Sequence, residues 1–169
     1  MDVRRPAGRA LQVGAALLLA LGASGCARSG SGAPPQVTVH IGSDTISLQP
    51  TQYCADGTLH RYEVRPPIVQ AAPKTQVVFT VPGAVAARGW QVQVFDEKLQ
   101  KRLGSVPVAH GKLVFNEITT SDVVPAAFYL VVVEDKNGQC HDVSGAWPVG
   151  IIRAGGAPAT GSMPAPSSG

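Results

Sequence analysis

Phe128-Tyr129-Leu130-Val131-Val132-Val133 runs directly into Glu134 and then Asp135-Lys136-Asn137-Gly138. Six apolar residues in succession leave no polar face, as expected of a strand covered on both sides in the centre of a sandwich. The Asn-Gly pair after it is a hairpin signal, because both residues tolerate the positive φ of a tight turn matched to strand twist. The expected return strand carries Cys140 and ends with Trp147, Val149 and Ile151.

Upstream of this pair the period is also two. Val77, Phe79 and Val81 share one strand face, and Pro82-Gly83 ends it. Trp90, Val92 and Val94 face one way while Gln91 and Gln93 face the other, and Leu113 and Phe115 begin a further strand. Val37, Val39 and Ile41 alternate with Thr38 and His40; Gly42-Ser43-Asp44 turns the chain into Ile46 and Leu48. Thr51 to Cys54 and His60 to Val64 form a second pair around Asp56-Gly57, and Pro66-Pro67 marks a change of direction. Asp96 to Arg102 interleaves acids and bases and reads as a solvated connection. Gly83 to Ala87 is the one candidate for a helical turn. The expected fold is all-β: an antiparallel immunoglobulin-like β-sandwich of about seven to nine strands.

The N-terminus carries the three parts of an export signal. Arg4, Arg5 and Arg9 make a basic start, and Leu11 to Leu21 an apolar stretch short for a bilayer span. Ala23-Ser24-Gly25-Cys26 then resembles the lipobox of bacterial lipoproteins, with Ala23 standing where leucine is usual. In such proteins the cysteine thiol takes diacylglycerol and becomes the first residue after cleavage. Residues 1–25 are therefore expected to be a lipoprotein signal peptide with lipidation at Cys26. Residues 26–35 read as a flexible Gly/Ser/Pro tether, 36–153 as the β-sandwich and 154–169 as a disordered tail. The expected location is the extracytoplasmic face of the cell membrane.

Charge excludes one class of partner. The chain holds 14 Lys and Arg against 11 Asp and Glu. Removing residues 1–25 leaves 11 basic and 10 acidic residues, a near-neutral domain with no electrostatic footprint for nucleic acid. With Cys26 assigned to lipid, Cys54 and Cys140 are the one possible intramolecular pair, and an oxidising compartment favours the bridge. The alternative, two free thiols serving as a redox or metal pair, has no CxxC spacing behind it.

The search for chemistry finds no GxSxG elbow, HExxH helix or phosphate-cradling glycine loop. Four histidines are present. His40 lies on a polar strand face and His110 precedes a turn glycine. His60 and His141 stand six residues after Cys54 and one after Cys140, so a bridge would bring their neighbourhoods together. Two imidazoles there could hold copper or zinc. Surface histidines that never converge are the simpler reading, so no metal and no cofactor is expected.

Cys26, the tether, Val37-Thr38-Val39-His40-Ile41-Gly42, Pro50-Thr51-Gln52-Tyr53-Cys54 and the late Cys140 together resemble a family of actinobacterial lipoproteins classed as a domain of unknown function. The 128–133 strand with its Asn-Gly turn is similar to the last two strands of bacterial immunoglobulin-like domains. Such folds host many activities, so the likeness implies architecture alone. The expected function is a lipid-anchored, non-catalytic binding or structural module, contacting the membrane through its anchor and an envelope protein or wall polymer through its surface. A small metal-binding protein using His60 and His141 is the alternative.

Overall fold

The computed structural model describes residues 33–135, 140 and 144–154. The N-terminal hairpin forms as its alternation demands. β1 (Val37–Ile41) and β2 (Asp44–Leu48) pair antiparallel across Gly42-Ser43, with Gly42 at φ 61°. A second hairpin joins β3 (Gln52–Ala55) to β4 (Thr58–Arg61). Its two turn residues, Asp56 and Gly57, both take positive φ (50° and 76°), the geometry that lets a two-residue loop follow strand twist.

The chain continues through β5 (Ile68–Ala71) and β6 (Gln76–Thr80) into one short helix, α1 (Gly83–Arg88). Pro82 precedes it in extended conformation, and its carbonyl accepts the Val85 and Ala86 amides. Gly89 ends it at φ 93°. Then follow β7 (Trp90–Phe95), β8 (Arg102–Val108), β9 (Val114–Thr119), β10 (Ala127–Glu134) and β11 (Gly145–Arg153).

These strands form two packed sheets with one disulfide, an all-β sandwich. The first sheet has the order β2-β1-β6-β9. The second has the order β4-β3-β11-β10-β7-β8, with β5 added parallel to β11. Alternate residues of each sheet point inward and bury the core. Val37, Val39, Val77, Phe79 and Phe115 come from the first sheet. Trp90, Val92, Phe128, Leu130, Val132, Trp147 and Val149 come from the second. The 128–133 run is the middle of β10, flanked by β7 and β11 over most of its length.

The sequence reading needs three corrections. Eleven strands are described, against the expected seven to nine. β8 is one addition: its exposed residues carry no clean alternation, and it is held as an edge by the β7 ladder. β5 is another, and it runs parallel to β11 where antiparallel pairing was expected. The return strand does not carry Cys140, because β11 begins at Gly145. The Asn137-Gly138 turn itself lies outside the described residues.

One edge of β11 is shared. β3 pairs with it at Gly145 and Ala146, and β5 takes over from Gly150 to Arg153. The Ala146 carbonyl and the Gly150 amide both bond toward this edge, to Thr51 and Pro67. By strand parity the nitrogen of Pro148 faces the same side, into the gap between β3 and β5. A proline in an inner strand is thus tolerated where no partner asks for its missing N–H.

Cys54 and Cys140 are bridged, with Cα atoms 6.2 Å apart and a separation of 86 positions in sequence. In the chain-entropy description a loop of this length stabilises the folded state by roughly 4 to 5 kcal/mol. Replacing both cysteines by alanine is therefore expected to lower the urea unfolding free energy by about 4 kcal/mol, with the slope of the transition checked for two-state behaviour. Thiol labelling of the untreated protein should find neither Cys54 nor Cys140; labelling of both without reductant would contradict the bridge.

Candidate functional site

Beside the bridge, one end of the sandwich is closed by a buried ion pair. Strand parity places Phe128, Leu130, Val132 and then Glu134 on the inner face of β10, so the run of core residues ends in a carboxylate. Glu134 is 0 % exposed. Arg88, the last residue of α1, donates from Nη1 to Glu134 Oε1 at 2.7 Å and to the Tyr53 hydroxyl at 2.9 Å. Tyr53 in turn packs against Trp147, ring centroids 6.0 Å apart. Glu134 Oε2 accepts no hydrogen bond among the described residues.

Burial pushes the Glu134 carboxyl above its usual range, and the Arg88 guanidinium opposes that shift. Arg88 is itself raised, first by its bond to Glu134 and then by its bond to Tyr53. Gly145 lies opposite Glu134 in the β10–β11 register. A Cβ there would come within 2.6 Å of Trp147 Cζ3 and 3.3 Å of Glu134 Oε2. Only glycine lets the indole lie across the strand. The cluster is closed to solvent except at Arg88, so it holds the fold and offers no reacting atom to a ligand outside.

The candidate site residues read from the sequence divide. Cys54 and Cys140 are brought together. His60 lies on β4, exposed and paired in register with Tyr53. His141 and the proposed lipidation site Cys26 lie outside the described residues. Among the described residues no three His, Cys, Asp or Glu side chains gather as a metal-holding group. His40 shares a hydrogen bond between its Nδ1 and the Thr45 hydroxyl at 2.8 Å, a cross-strand contact of the first hairpin. In the 96–102 connection, Asp96 accepts the Gln100 and Lys101 amides, which hold its carboxyl below the usual range.

Two open recesses have room for a ligand, and one is on the outer face of the second sheet. Two cross-strand rows lie side by side there: Gln52, Ala146 and Val133 in one, Pro148, Val131 and Gln93 in the next. Phe95 and Leu99 rise beside them at the turn after β7. The result is an open groove of about 370 Å³. Val131, Val133 and Pro148 form its floor and are buried although they face away from the core. A second recess of about 480 Å³ lies between Leu103 and Gly104 of β8 and the 122–125 turn.

Set beside known protein families, curated proteins and solved structures, the chain matches none.

The Arg88–Glu134 pair and the groove both escaped the sequence reading. The signal for the first was a lone acid in the inward parity of β10. For the second it was valine at the outward positions of a strand flanked by glutamines.

Arg88→Met is expected to lose about 1–3 kcal/mol at neutral pH, the buried-pair cost reduced because Arg88 is partly exposed. The deficit should shrink as the pH falls through the range just above the ordinary glutamate value, where the unpartnered Glu134 takes up a proton. The sign follows from the raised carboxyl: the protonated form is the one the fold prefers. Urea titrations at several pH values measure it, and a pH-independent deficit would point to packing in place of charge. Gly145→Ala should destabilise by about 1–3 kcal/mol through overpacking against Trp147, read from the same titrations.

Proposed function

We propose that this protein is a lipid-anchored β-sandwich of the bacterial cell envelope that binds a partner without catalysing a reaction. In this reading Cys26 carries the lipid, residues 26–35 are the tether, and the sandwich stands on the extracytoplasmic side of the membrane. The observation that carries it is the Cys54–Cys140 bridge. A disulfide of this span belongs to an oxidising compartment, and it uses two of the three cysteines in the chain. The third stands at the end of Ala23-Ser24-Gly25-Cys26, behind a basic and apolar leader.

The physical chemistry of the anchor fits the role. Each buried methylene contributes about 0.8 kcal/mol, so two acyl chains hold a protein on a bilayer where a single chain gives marginal binding. Trp147 Nε1 donates to the Pro35 carbonyl at 2.8 Å, which ties the end of the proposed tether to the core of the second sheet. The outer-face groove of the second sheet supports binding, since it is open, apolar and of a size that ligand sites have.

Cys26→Ala is expected to move the protein out of the membrane fraction and to abolish incorporation of a clickable palmitate analogue. Fractionation of cells expressing either form, followed by immunoblotting, measures this. Unchanged partitioning of the variant would overturn the anchor.

A further inference from the structure

Two buried indoles fix the end of the sandwich from which the proposed tether leaves. Trp147 Nε1 donates to the Pro35 carbonyl and Trp90 Nε1 to the Lys112 carbonyl, each at 2.8 Å. Trp147 stands near the start of β11 and Trp90 at the start of β7, on either side of the end of β10. The first sheet repeats the arrangement, with Thr38, Thr80 and Val114 in one cross-strand row over β1, β6 and β9. The tether exit and the 109–113 turn therefore share one rim, two strand spacings or about 10 Å apart. The Gly111 amide donates to the Ala86 carbonyl at 2.9 Å, so α1 holds the turn as well.

That turn presents carbon to solvent from a fixed position. Ala109 to Val114 are six exposed residues in succession, with Leu113 48 % and Val114 41 % exposed. No acid lies in the stretch. Lys112 pairs with Glu117 at 2.9 Å, an exposed contact that another anion displaces at little cost.

Exposure by itself does not choose this end. Val124, 92 % exposed, and Leu103 lie at the opposite end, beside the starts of β10 and β8. Chain length makes the choice. Ala33, the first described residue, is seven positions after Cys26. A Gly/Ser-rich chain of that length has a typical reach of about 15 Å and a limit of about 25 Å. The five residues of β1 put the Gly42-Ser43 turn about 17 Å further from the exit.

We infer that the 109–114 turn rests on the phospholipid bilayer, with Leu113 and Val114 entering the boundary between headgroups and acyl chains and Lys112 facing lipid phosphate. This rests on the proposed anchor at Cys26 and names the surface that the anchored domain turns to the membrane. Two half-exposed aliphatic side chains do not hold a protein on lipid unaided. Behind a short tether the bilayer is present at high effective concentration, so a weak contact is enough to orient the domain. The strands then stand up from the membrane, and the outer-face groove stays open to the side.

The test uses the full-length lipidated protein in vesicles of phosphatidylethanolamine and phosphatidylglycerol. Nitroxide labels are placed one at a time through Leu113→Cys, Ala109→Cys and, at the far end, Ser43→Cys and Val124→Cys. The acylated Cys26 and the bridged Cys54 and Cys140 take no label without reductant. Relative to the same label on the Cys26→Ala form in solution, positions 113 and 109 should gain collisions with oxygen. They should also lose collisions with a water-soluble nickel complex, while positions 43 and 124 keep both. A nitroxide at position 113 is itself apolar, so position 109 is read again with Leu113→Ser and Val114→Ser. There the gain should vanish although the protein still floats with the vesicles, and the unfolding midpoint should not move because both residues are exposed.

Equal accessibility at positions 113 and 43 in floating protein would overturn the inference and leave the anchor standing. So would a gain at position 124, or a gain at position 109 that survives the double serine variant. Protein that does not float overturns the anchor and this inference with it.

Discussion

The Cys54–Cys140 bridge is the constraint on which the rest leans, because β3 is otherwise lightly held. The β3–β4 hairpin joins the second sheet through two paired residues of β11, Gly145 and Ala146, with further backbone bonds from Thr51 and Cys54. Two rungs do not make an independent hairpin stable in water. The covalent link makes that short attachment permanent, and two consequences follow on opposite faces. Inward, Tyr53 is set against Trp147 and within reach of Arg88. Outward, Thr51 and Gln52 become the rim of the groove.

Tyr53, Arg88, Glu134, Gly145 and Trp147 then behave as one unit. A carboxylate at full burial is expensive unless paired, and here one oxygen is paired while the other is not. Such an arrangement adds little net stability compared with carbon in the same space. What it does add is direction: α1 must end where its last side chain meets the end of β10. Gly89 completes that alignment, since its carbonyl accepts the Asp135 amide at 3.0 Å and a Cβ there would fall 2.8 Å from Asp135 Oδ2.

The outer face of the second sheet departs from the ordinary sandwich, in which outward positions are polar. Val131, Val133 and Pro148 are apolar and buried there, on the two central strands β10 and β11, and Phe95 and Leu99 line the same groove. Gln93 is a polar neighbour of that buried carbon, paired in register with Val131.

Much of this protein was legible in the chain itself. Alternation in 37–41 and 76–80, the turn pairs Gly42-Ser43 and Asp56-Gly57, and the doubly apolar 128–133 run are local signals, and local backbone preferences answer them. The disulfide followed from counting three cysteines and setting one aside. The rest needed neighbours that sequence does not name. Arg102–Val108 is a strand because β7 offers it a ladder, and Ile68–Ala71 is one because half of an edge of β11 was left open. The outward Gln91 and Gln93 look alike in sequence; one reaches Asp135 Oδ1, and the other stands in register with Val131. Period and turn chemistry decide which segments are strands, whereas pairing partner and sheet face decide which polar group is left without a bond. Those depend on residues tens of positions away, so only the tertiary structure could settle them.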